Sequence, residues 1–291
     1  MEFLTPTCWA EALQARAAHP GAVPIAGGTD VMVELNFDRH RPDALIDLTR
    51  IPELAQWEYD DGLVRLGAGV SYTRVIEQLG TPMPGLAMAS RTVGSPQIRN
   101  RGTVGGNLGA ASPAGDAHPP LLAVGARVEV ESIRGVRTIA VEDFYTGVKH
   151  NALAPDELIG AILVPRATGP QQFCKIGTRN AMVISVAAFG LALDPEHRRV
   201  GTGVGSAAPT PRRAVAAEEF LAGELGGLWE SRGAIPESLM NEFGERVRQS
   251  AAPIDDVRGT AAYRLHSLAV MARRALGWAW AELQTDYRKA S

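Results

Sequence analysis

The segment RNRGTVGGNLGAASPAGD (residues 99–116) is the most informative stretch of this chain. Its five glycines leave backbone N–H groups unobstructed by side chains, so a ligand can approach the main chain closely. Thr103, Asn107 and Ser112 place hydroxyl and amide donors between those glycines. Backbone amides turned into a concavity bind anions without lysine. The segment therefore predicts a loop that binds a phosphate-bearing ligand; the alternative is a flexible surface loop, which its lack of Lys and Glu disfavours.

A second Gly-Gly loop, AGGTDVM (residues 26–32), follows the apolar run at residues 22–25. Taken alone, it fits either a tight turn after a strand or one side of a ligand site. Because each of the two loops carries a threonine beside paired glycines, we predict that they hold a pyrophosphate from opposite sides. A third glycine-rich run, GTGVGS (residues 201–206), lacks the spacing of a dinucleotide fingerprint and indicates a strand end.

The composition excludes several classes of protein. A net charge of −3 over 291 residues gives no reason to expect nucleic acid or an anionic membrane as partner. The longest nearly apolar run, residues 181–193, is too short for the roughly 20 residues of a membrane span. Two cysteines, Cys8 and Cys174, cannot supply an iron–sulfur cluster. The N-terminus shows no secretory signal pattern, so we predict a cytoplasmic protein. We also predict no metal site and no catalytic side chain in this chain.

The hydrophobic pattern predicts an α+β protein in two parts, joined by the polar segment PRATGPQQ (residues 165–172). Residues 93–115 show little periodicity, so no regular element is predicted there. The predicted strands cover residues 22–25, 44–48, 63–70, 127–133, 136–141, 158–164, 182–193 and 200–205. The predicted helices cover residues 7–18 with Thr7 as N-cap, 73–79, a stretch beginning near Asp116, 211–221 and 260–280.

Four segments resemble, in order, the FAD-binding medium subunit of the molybdenum hydroxylases, the family of xanthine dehydrogenase and carbon monoxide dehydrogenase. They are PIAGGTDVMVELN (24–36), IRNRGTVGGNLGAASPAGD (98–116), FCKIGTRNAMVISVAAFGLAL (173–193) and PIDDVRGTAAYRLHSLAVMARRAL (253–276). The resemblance implies a two-subdomain FAD-binding fold of the vanillyl-alcohol-oxidase / p-cresol methylhydroxylase type. This domain would cover residues 1–166, with subdomains of about 1–57 and 58–166, before a small α+β C-terminal domain at 173–283.

The resemblance also implies which residues contact FAD. Asp116 matches an acidic residue near the adenosine end, with N-cap of the next helix as its alternative role. Ile159 matches a position whose backbone contacts the flavin nucleotide, and Lys175 matches a lysine at the flavin; either could instead be an ordinary strand residue. Arg179 could be an ion-pair partner in the same strand. The residues implied around the diphosphate are Ala26, Gly27, Gly28, Thr29 and Asp30 on one side, and Thr103, Gly105, Gly106, Asn107 and Ser112 on the other.

By the same resemblance, the chain would carry electrons inside a larger complex. A molybdopterin-binding large subunit would oxidise the substrate, and a small subunit with [2Fe–2S] clusters would reduce the FAD in this chain. NAD, a quinone or oxygen would then accept the electrons, in a dimer of heterotrimers. The first loop reads AGGTD, whereas the corresponding loop of the carbon monoxide dehydrogenase branch resembles AGGHS. This difference favours a purine, aldehyde or N-heterocycle over carbon monoxide as the substrate of the complex. The alternatives are a self-sufficient FAD-dependent oxidoreductase of this fold and a non-catalytic nucleotide-binding assembly subunit.

Overall fold

A computed structural model describes residues 1–39 and 41–290 as a mixture of helices and strands. The strands are β1 (Glu2–Leu4), β2 (Val23–Ile25), β3 (Ala44–Asp47), β4 (Trp57–Asp60), β5 (Leu63–Gly67), β6 (Arg127–Ser132), β7 (Gly135–Ala140), β8 (Tyr145–Gly147), β9 (His150–Asn151), β10 (Leu158–Pro165), β11 (Gln171–Ile176), β12 (Ala187–Asp194) and β13 (Arg199–Gly205). The helices are α1 (Trp9–Ala18), α2 (Val31–Asn36), α3 (Tyr72–Gln78), α4 (Pro84–Thr92), α5 (Pro96–Arg101), α6 (Val104–Ala110), α7 (His118–Ala123), α8 (Val141–Phe144), α9 (Val215–Glu224), α10 (Leu228–Ser231), α11 (Glu237–Gln249) and α12 (Ala261–Ala290), with a 3-10 turn at Pro52–Ala55.

The N-terminal part of the chain forms a small parallel sheet in the order β1–β3–β2. Its central strand, β3, is buried, and Ile46 is fully enclosed beside Ala22 and Ala44. Parallel strands need a crossover, which α1 supplies between β1 and β2. The first glycine loop follows β2, so it leaves the sheet at the carboxyl end of that strand.

The second sheet is antiparallel, with five strands in the order β4–β5–β10–β6–β7. Val64 and Leu66 on β5, and Val128 and Val130 on β6, alternate toward one buried face. Residues of α3, α4, α6 and α7 share a single hydrophobic core with this face. The second glycine loop therefore lies in a layer of helices packed on the sheet.

The C-terminal part contains a three-stranded antiparallel sheet, β11–β12–β13, packed against α9, α11 and α12. Phe189 and Phe243 meet edge to face in its core, with ring centroids 6.3 Å apart. On the other side, α7 presses against the sheet: a Cβ on Gly203 would lie 2.0 Å from the Pro119 carbonyl oxygen. Helix α7 thus packs between the two halves of the chain.

The structure confirms most of the predicted elements, including the hairpin around Gly135. Three predictions are wrong. The strand predicted over residues 182–193 begins only at Ala187, because residues 177–186 form an irregular loop in which Met182 has a left-handed conformation. Residues 93–115, for which no element was predicted, contain α5 and α6, because tertiary packing overrides the low helix propensity of the glycines in α6. Thr7 does not cap α1: Cys8 occupies the cap position, and Thr7 donates its N–H and hydroxyl to Glu11. Among the helices of the described chain, none is both long and apolar enough to cross a bilayer.

Candidate functional site

A cleft of about 640 Å³ runs between the small parallel sheet, α6 and the end of the five-stranded sheet. Its size lies within the roughly 300–1,000 Å³ typical of small-molecule sites. Every residue that the sequence analysis placed in the site lines this cleft, with two exceptions, Asp116 and Lys175. The two glycine-rich loops are therefore brought together in the lining of one cavity.

The first loop offers unused backbone donors to the cleft. None of the five N–H groups of residues 27–31 donates to an acceptor within residues 1–39 and 41–290. Gly28 has φ of +74°, a left-handed conformation that glycine adopts without strain. The carboxylate of Asp30 does not cap α2, which begins at the next residue. A run of unpaired amides around a left-handed residue is a typical anion-binding arrangement.

Over residues 104–107, the second loop offers side chains rather than free backbone amides to the cleft. Thr103 caps α6, and its hydroxyl oxygen accepts from the N–H of Gly106 at 2.9 Å. The N–H groups of Val104 and Gly105 donate to carbonyls of Val70 and Ala68, and that of Asn107 to Thr103. The expectation that amides of this loop are free for a ligand is therefore wrong for residues 104–107. The sequence could not show that α6 forms and consumes them.

The glycines of the site are of two physical kinds. At Gly27 a Cβ would lie 1.9 Å from the Arg101 carbonyl oxygen, and at Gly105 it would lie 2.5 Å from the Cβ of Ala68. These two glycines let protein segments touch each other. At Gly106, in contrast, a Cβ would meet only the Thr103 hydroxyl, at 3.0 Å. A Cβ at Gly109 would meet only Ile159, at 3.7 Å. Gly106 and Gly109 therefore leave space in the cleft that a side chain would occupy.

The charges around the cleft do not favour anions by themselves. Its lining includes two cationic residues, Arg16 and Lys149, against the acids Asp30, Glu34 and Glu157. Lys149 forms an ion pair with Glu34 across the cavity. Because cations do not exceed acids here, any bound anion must be held mainly by neutral N–H and O–H donors.

Ile159 lies on the wall of the cleft at an irregularity in β10. The pairing of β10 with β6 shifts register between Ile159 and Ala161, so one extra residue, Gly160, is accommodated. The freed carbonyl of Gly160 accepts from the N–H of Ala68 at 3.0 Å. Such bulges redirect a strand next to a binding site. The predicted role of the Ile159 backbone remains a prediction.

Asp116 and Lys175 are buried together at the junction of α7 and β11, outside the cleft lining. The carboxylate accepts from the ammonium of Lys175 at 2.6 Å and from the Thr92 hydroxyl at 3.1 Å. Burial raises the pKa of Asp116, and the nearby Lys175 opposes the rise. The N-cap alternative is wrong, because Ala117 occupies the cap position of α7 without a side-chain bond. The proposed ion pair of Arg179 is also wrong: its guanidinium donates to the carbonyls of Ala181 and Met182 beyond the end of β11.

Sequence reasoning missed a buried polar group beneath the second loop. The Tyr145 hydroxyl and Nδ1 of His118 are 2.6 Å apart, and burial lowers the pKa of His118 to about 3. Tyr72, which lines the cleft, has a buried hydroxyl without a partner in the described part of the chain. These residues come from three separate segments, and nothing in their spacing signals that they meet. No cluster of three potential metal ligands occurs among the residues described.

Comparison with known proteins gives consistent matches along nearly the whole chain. The family profile of the FAD-binding domain in molybdopterin dehydrogenase matches residues 1–167, and that of the CO dehydrogenase flavoprotein C-terminal domain matches residues 172–279. The xanthine dehydrogenase FAD-binding subunit of Escherichia coli O157:H7 is 32% identical over 282 residues, covering 92% of this chain and 91% of the relative. The nicotinate dehydrogenase FAD-subunit of Eubacterium barkeri is 33% identical over 210 residues, covering 69% and 71%.

Solved structures agree with these sequence matches. A chain of carbon monoxide dehydrogenase from Hydrogenophaga pseudoflava superimposes with a TM-score of 0.88 at 27% identity, covering 97% of this chain and 98% of that one. The architecture of the whole chain, including both halves around α7, is therefore found in an experimentally determined structure.

Proposed function

This chain belongs to the FAD-binding subunits of the molybdenum hydroxylase family, and we propose that it holds FAD in the cleft between its two glycine-rich loops. The first loop would bind the diphosphate through the unpaired amides of residues 27–31. The hydroxyl of Thr103 and the carboxamide of Asn107 would face the same group from α6. The single observation that carries this assignment is the run of free amides at residues 27–31 in the same cleft as the open surface at Gly106.

The residues present fit such a cofactor. A diphosphate is anionic and needs several donors at close range, which residues 27–31 supply without a lysine. The bare surface at Gly106 and Gly109 leaves space that any side chain there would fill. Apolar residues, including Leu54, Ile98 and Ile159, line other parts of the cleft and suit flat ring systems. Asp116 and Lys175 lie outside the lining of this cleft. Their proposed contacts with FAD are supported by the family resemblance alone.

The proposed biochemical role is electron transfer within a larger complex. Bound FAD supplies the redox chemistry, and the protein supplies binding and orientation. We propose that this chain receives electrons from [2Fe–2S] clusters of a small partner subunit and passes them to NAD or another acceptor. A molybdopterin-binding large subunit would oxidise the substrate, in a dimer of heterotrimers. Xanthine and nicotinate, named in two relatives, are N-heterocycles, which supports a purine or N-heterocycle as substrate class.

We further propose that residues 1–166 form a two-subdomain fold of the vanillyl-alcohol-oxidase type, followed by the C-terminal domain at 173–283. The small parallel sheet and the five-stranded sheet on either side of the cleft support this division. The helix α7, which packs on both halves, would then connect the flavin domain to the C-terminal domain.

Rapid mixing experiments test the electron-transfer role. The purified chain is loaded with FAD and mixed anaerobically with candidate N-heterocycles, alone and with its co-purified partner subunits. Bleaching of the flavin absorbance only in the presence of the partners supports the proposal. Bleaching by substrate with this chain alone establishes the self-sufficient oxidoreductase instead. A chain that takes up no FAD under any condition establishes the assembly subunit.

A further inference from the structure

The side chain of Asn107 is divided between the protein interior and the cleft. Its carbonyl oxygen, Oδ1, is fully buried and has no hydrogen-bond partner in the described chain. Its NH2 group is not among the buried unpaired atoms and makes no hydrogen bond to the described residues, so it faces the cleft that Asn107 lines. A buried amide oxygen without a donor is costly, which raises the question of what lies against it.

The imidazole of His118 lies near this oxygen. A Cβ placed on Gly115 would lie 2.2 Å from Nε2 of His118 and 2.8 Å from Oδ1 of Asn107, so both atoms converge on the same point. Both Oδ1 and Nε2 are buried, and neither makes a hydrogen bond of standard geometry, to the other or to another side chain, in this part of the structure. The ring also interacts with the backbone of Ser112, which raises the pKa of His118 against the larger effect of burial. Gly115 is therefore a glycine because His118 and Asn107 occupy the space where a side chain would be.

Tyr145 determines which nitrogen of His118 carries the proton. Its hydroxyl lies 2.6 Å from Nδ1, and both side chains are nearly or fully buried. The imidazole is neutral, since burial lowers its pKa to about 3. A phenol is the better donor toward a neutral imidazole, so Tyr145 donates to Nδ1 and the ring proton resides on Nε2. An Nε2–H group can face the carbonyl oxygen of Asn107 but would repel its NH2 group.

We propose that Tyr145 and His118 are positioning residues for FAD: together they hold the carboxamide of Asn107 with its oxygen inward and its NH2 group in the cleft. There the NH2 group donates to the diphosphate, whereas the opposite orientation would present a carbonyl oxygen to an anion. This inference rests on the proposed function. It adds two residues that touch no ligand and act only through Asn107.

The test is a double-mutant cycle on the full chain, with the dissociation constant for FAD measured by quenching of flavin fluorescence. Tyr145→Phe removes one hydroxyl and keeps the ring. We expect it to weaken FAD binding about tenfold, as does Asn107→Ala. The second variant removes about one hydrogen bond to a charged group, and the first allows the same carboxamide to turn away from that group. The double variant is expected to be no weaker than Asn107→Ala alone, because Tyr145 acts through Asn107. If the fold increases in the dissociation constant multiply in the double variant, Tyr145 acts independently of Asn107, and the inference is overturned.

A packing control and a second measurement complete the test. Phe144→Leu alters the edge-to-face neighbour of Tyr145, whose ring centroid lies 5.5 Å away, and keeps the hydroxyl of Tyr145 and the polar groups of His118 and Asn107. It is expected to leave the FAD dissociation constant within about twofold of wild type. Nitrogen NMR of the His118 ring in the FAD-free protein should show the Nε2–H tautomer, changed in Tyr145→Phe. The Nδ1–H tautomer in wild type overturns the inference, whereas failure of the wild-type chain to bind FAD overturns the proposed function with it.

Discussion

Replacement of Gly106 by valine tests the proposal that the two glycine-rich loops bind the diphosphate of FAD. Gly106 is exposed on the wall of the cleft, and its missing side chain would project into open space. A valine there would occupy part of the volume assigned to the diphosphate and push it away from the amides of residues 27–31. Charge-assisted hydrogen bonds contribute about 1.5–3 kcal/mol each. Loss of two corresponds to about 3–6 kcal/mol, or at least a hundredfold increase in the FAD dissociation constant.

The FAD-free protein should tolerate the same substitution. A Cβ at this position lies 3.0 Å from the Thr103 hydroxyl and weakens a helix cap, which costs about 1 kcal/mol. Replacing glycine by valine within a helix offsets about 0.3–0.5 kcal/mol of that cost. The midpoint of thermal unfolding should therefore stay within about 4 °C of wild type.

Gly105→Ala is the matched control one residue earlier. Its Cβ would overlap the Cβ of Ala68, at 2.5 Å, so the obstacle is another part of the protein rather than the space assigned to the ligand. We expect this variant to lose about 1–3 kcal/mol of stability without FAD, seen as a lower unfolding midpoint. The assays are fluorescence titration with FAD and calorimetry of the FAD-free proteins. Normal FAD occupancy in Gly106→Val would refute the assignment of α6 to the diphosphate site.

Three further outcomes follow from other contacts. Gly27→Ala should lower the unfolding midpoint of the FAD-free protein, because its Cβ would lie 1.9 Å from the Arg101 carbonyl oxygen; an unchanged midpoint would contradict the observed loop contact. Asp116→Asn leaves Lys175 buried without a carboxylate and should cost about 3–5 kcal/mol in denaturant unfolding, much of it recovered when Lys175→Met is added. Between pH 6 and 5, the unfolded chain binds most of a proton at His118 that the folded chain, with a pKa of about 3, does not, so wild-type stability should fall by about 1.2 kcal/mol through this group. His118→Phe should fall less steeply, and equal slopes in both proteins would refute the neutral, buried assignment.

The sequence reveals those parts of the site that depend on local chemistry. The two glycine loops are recognisable because paired glycines and a threonine follow one another directly in the chain. The hairpin around Gly135 is equally local, and both of its strands form as predicted. That the two loops line one cleft could be predicted from their similarity to a known family, but not from their spacing in the sequence.

The remaining features depend on contacts between distant segments. Helix α6 forms although its sequence is rich in glycine, since Thr103 caps it and Gly105 packs on Ala68. The pairing of Asp116 with Lys175 joins residues that are 59 positions apart. No pattern within either segment signals that contact.

The glycines show the same limit in another form. Gly27 and Gly106 look alike in sequence, but one is required where two loops touch and the other borders open space. Only the three-dimensional structure separates a glycine that serves packing from one that leaves room for a ligand.

The most direct test of the central claim compares FAD with riboflavin in equilibrium titrations of the cofactor-free chain. Riboflavin carries the same ring system but no diphosphate, so it cannot use the amides of residues 27–31. We expect one FAD to bind per chain, at least about a hundredfold more tightly than riboflavin, because two or more charge-assisted hydrogen bonds are lost without the diphosphate. Equal affinities for the two flavins would contradict the diphosphate grip on which the account depends.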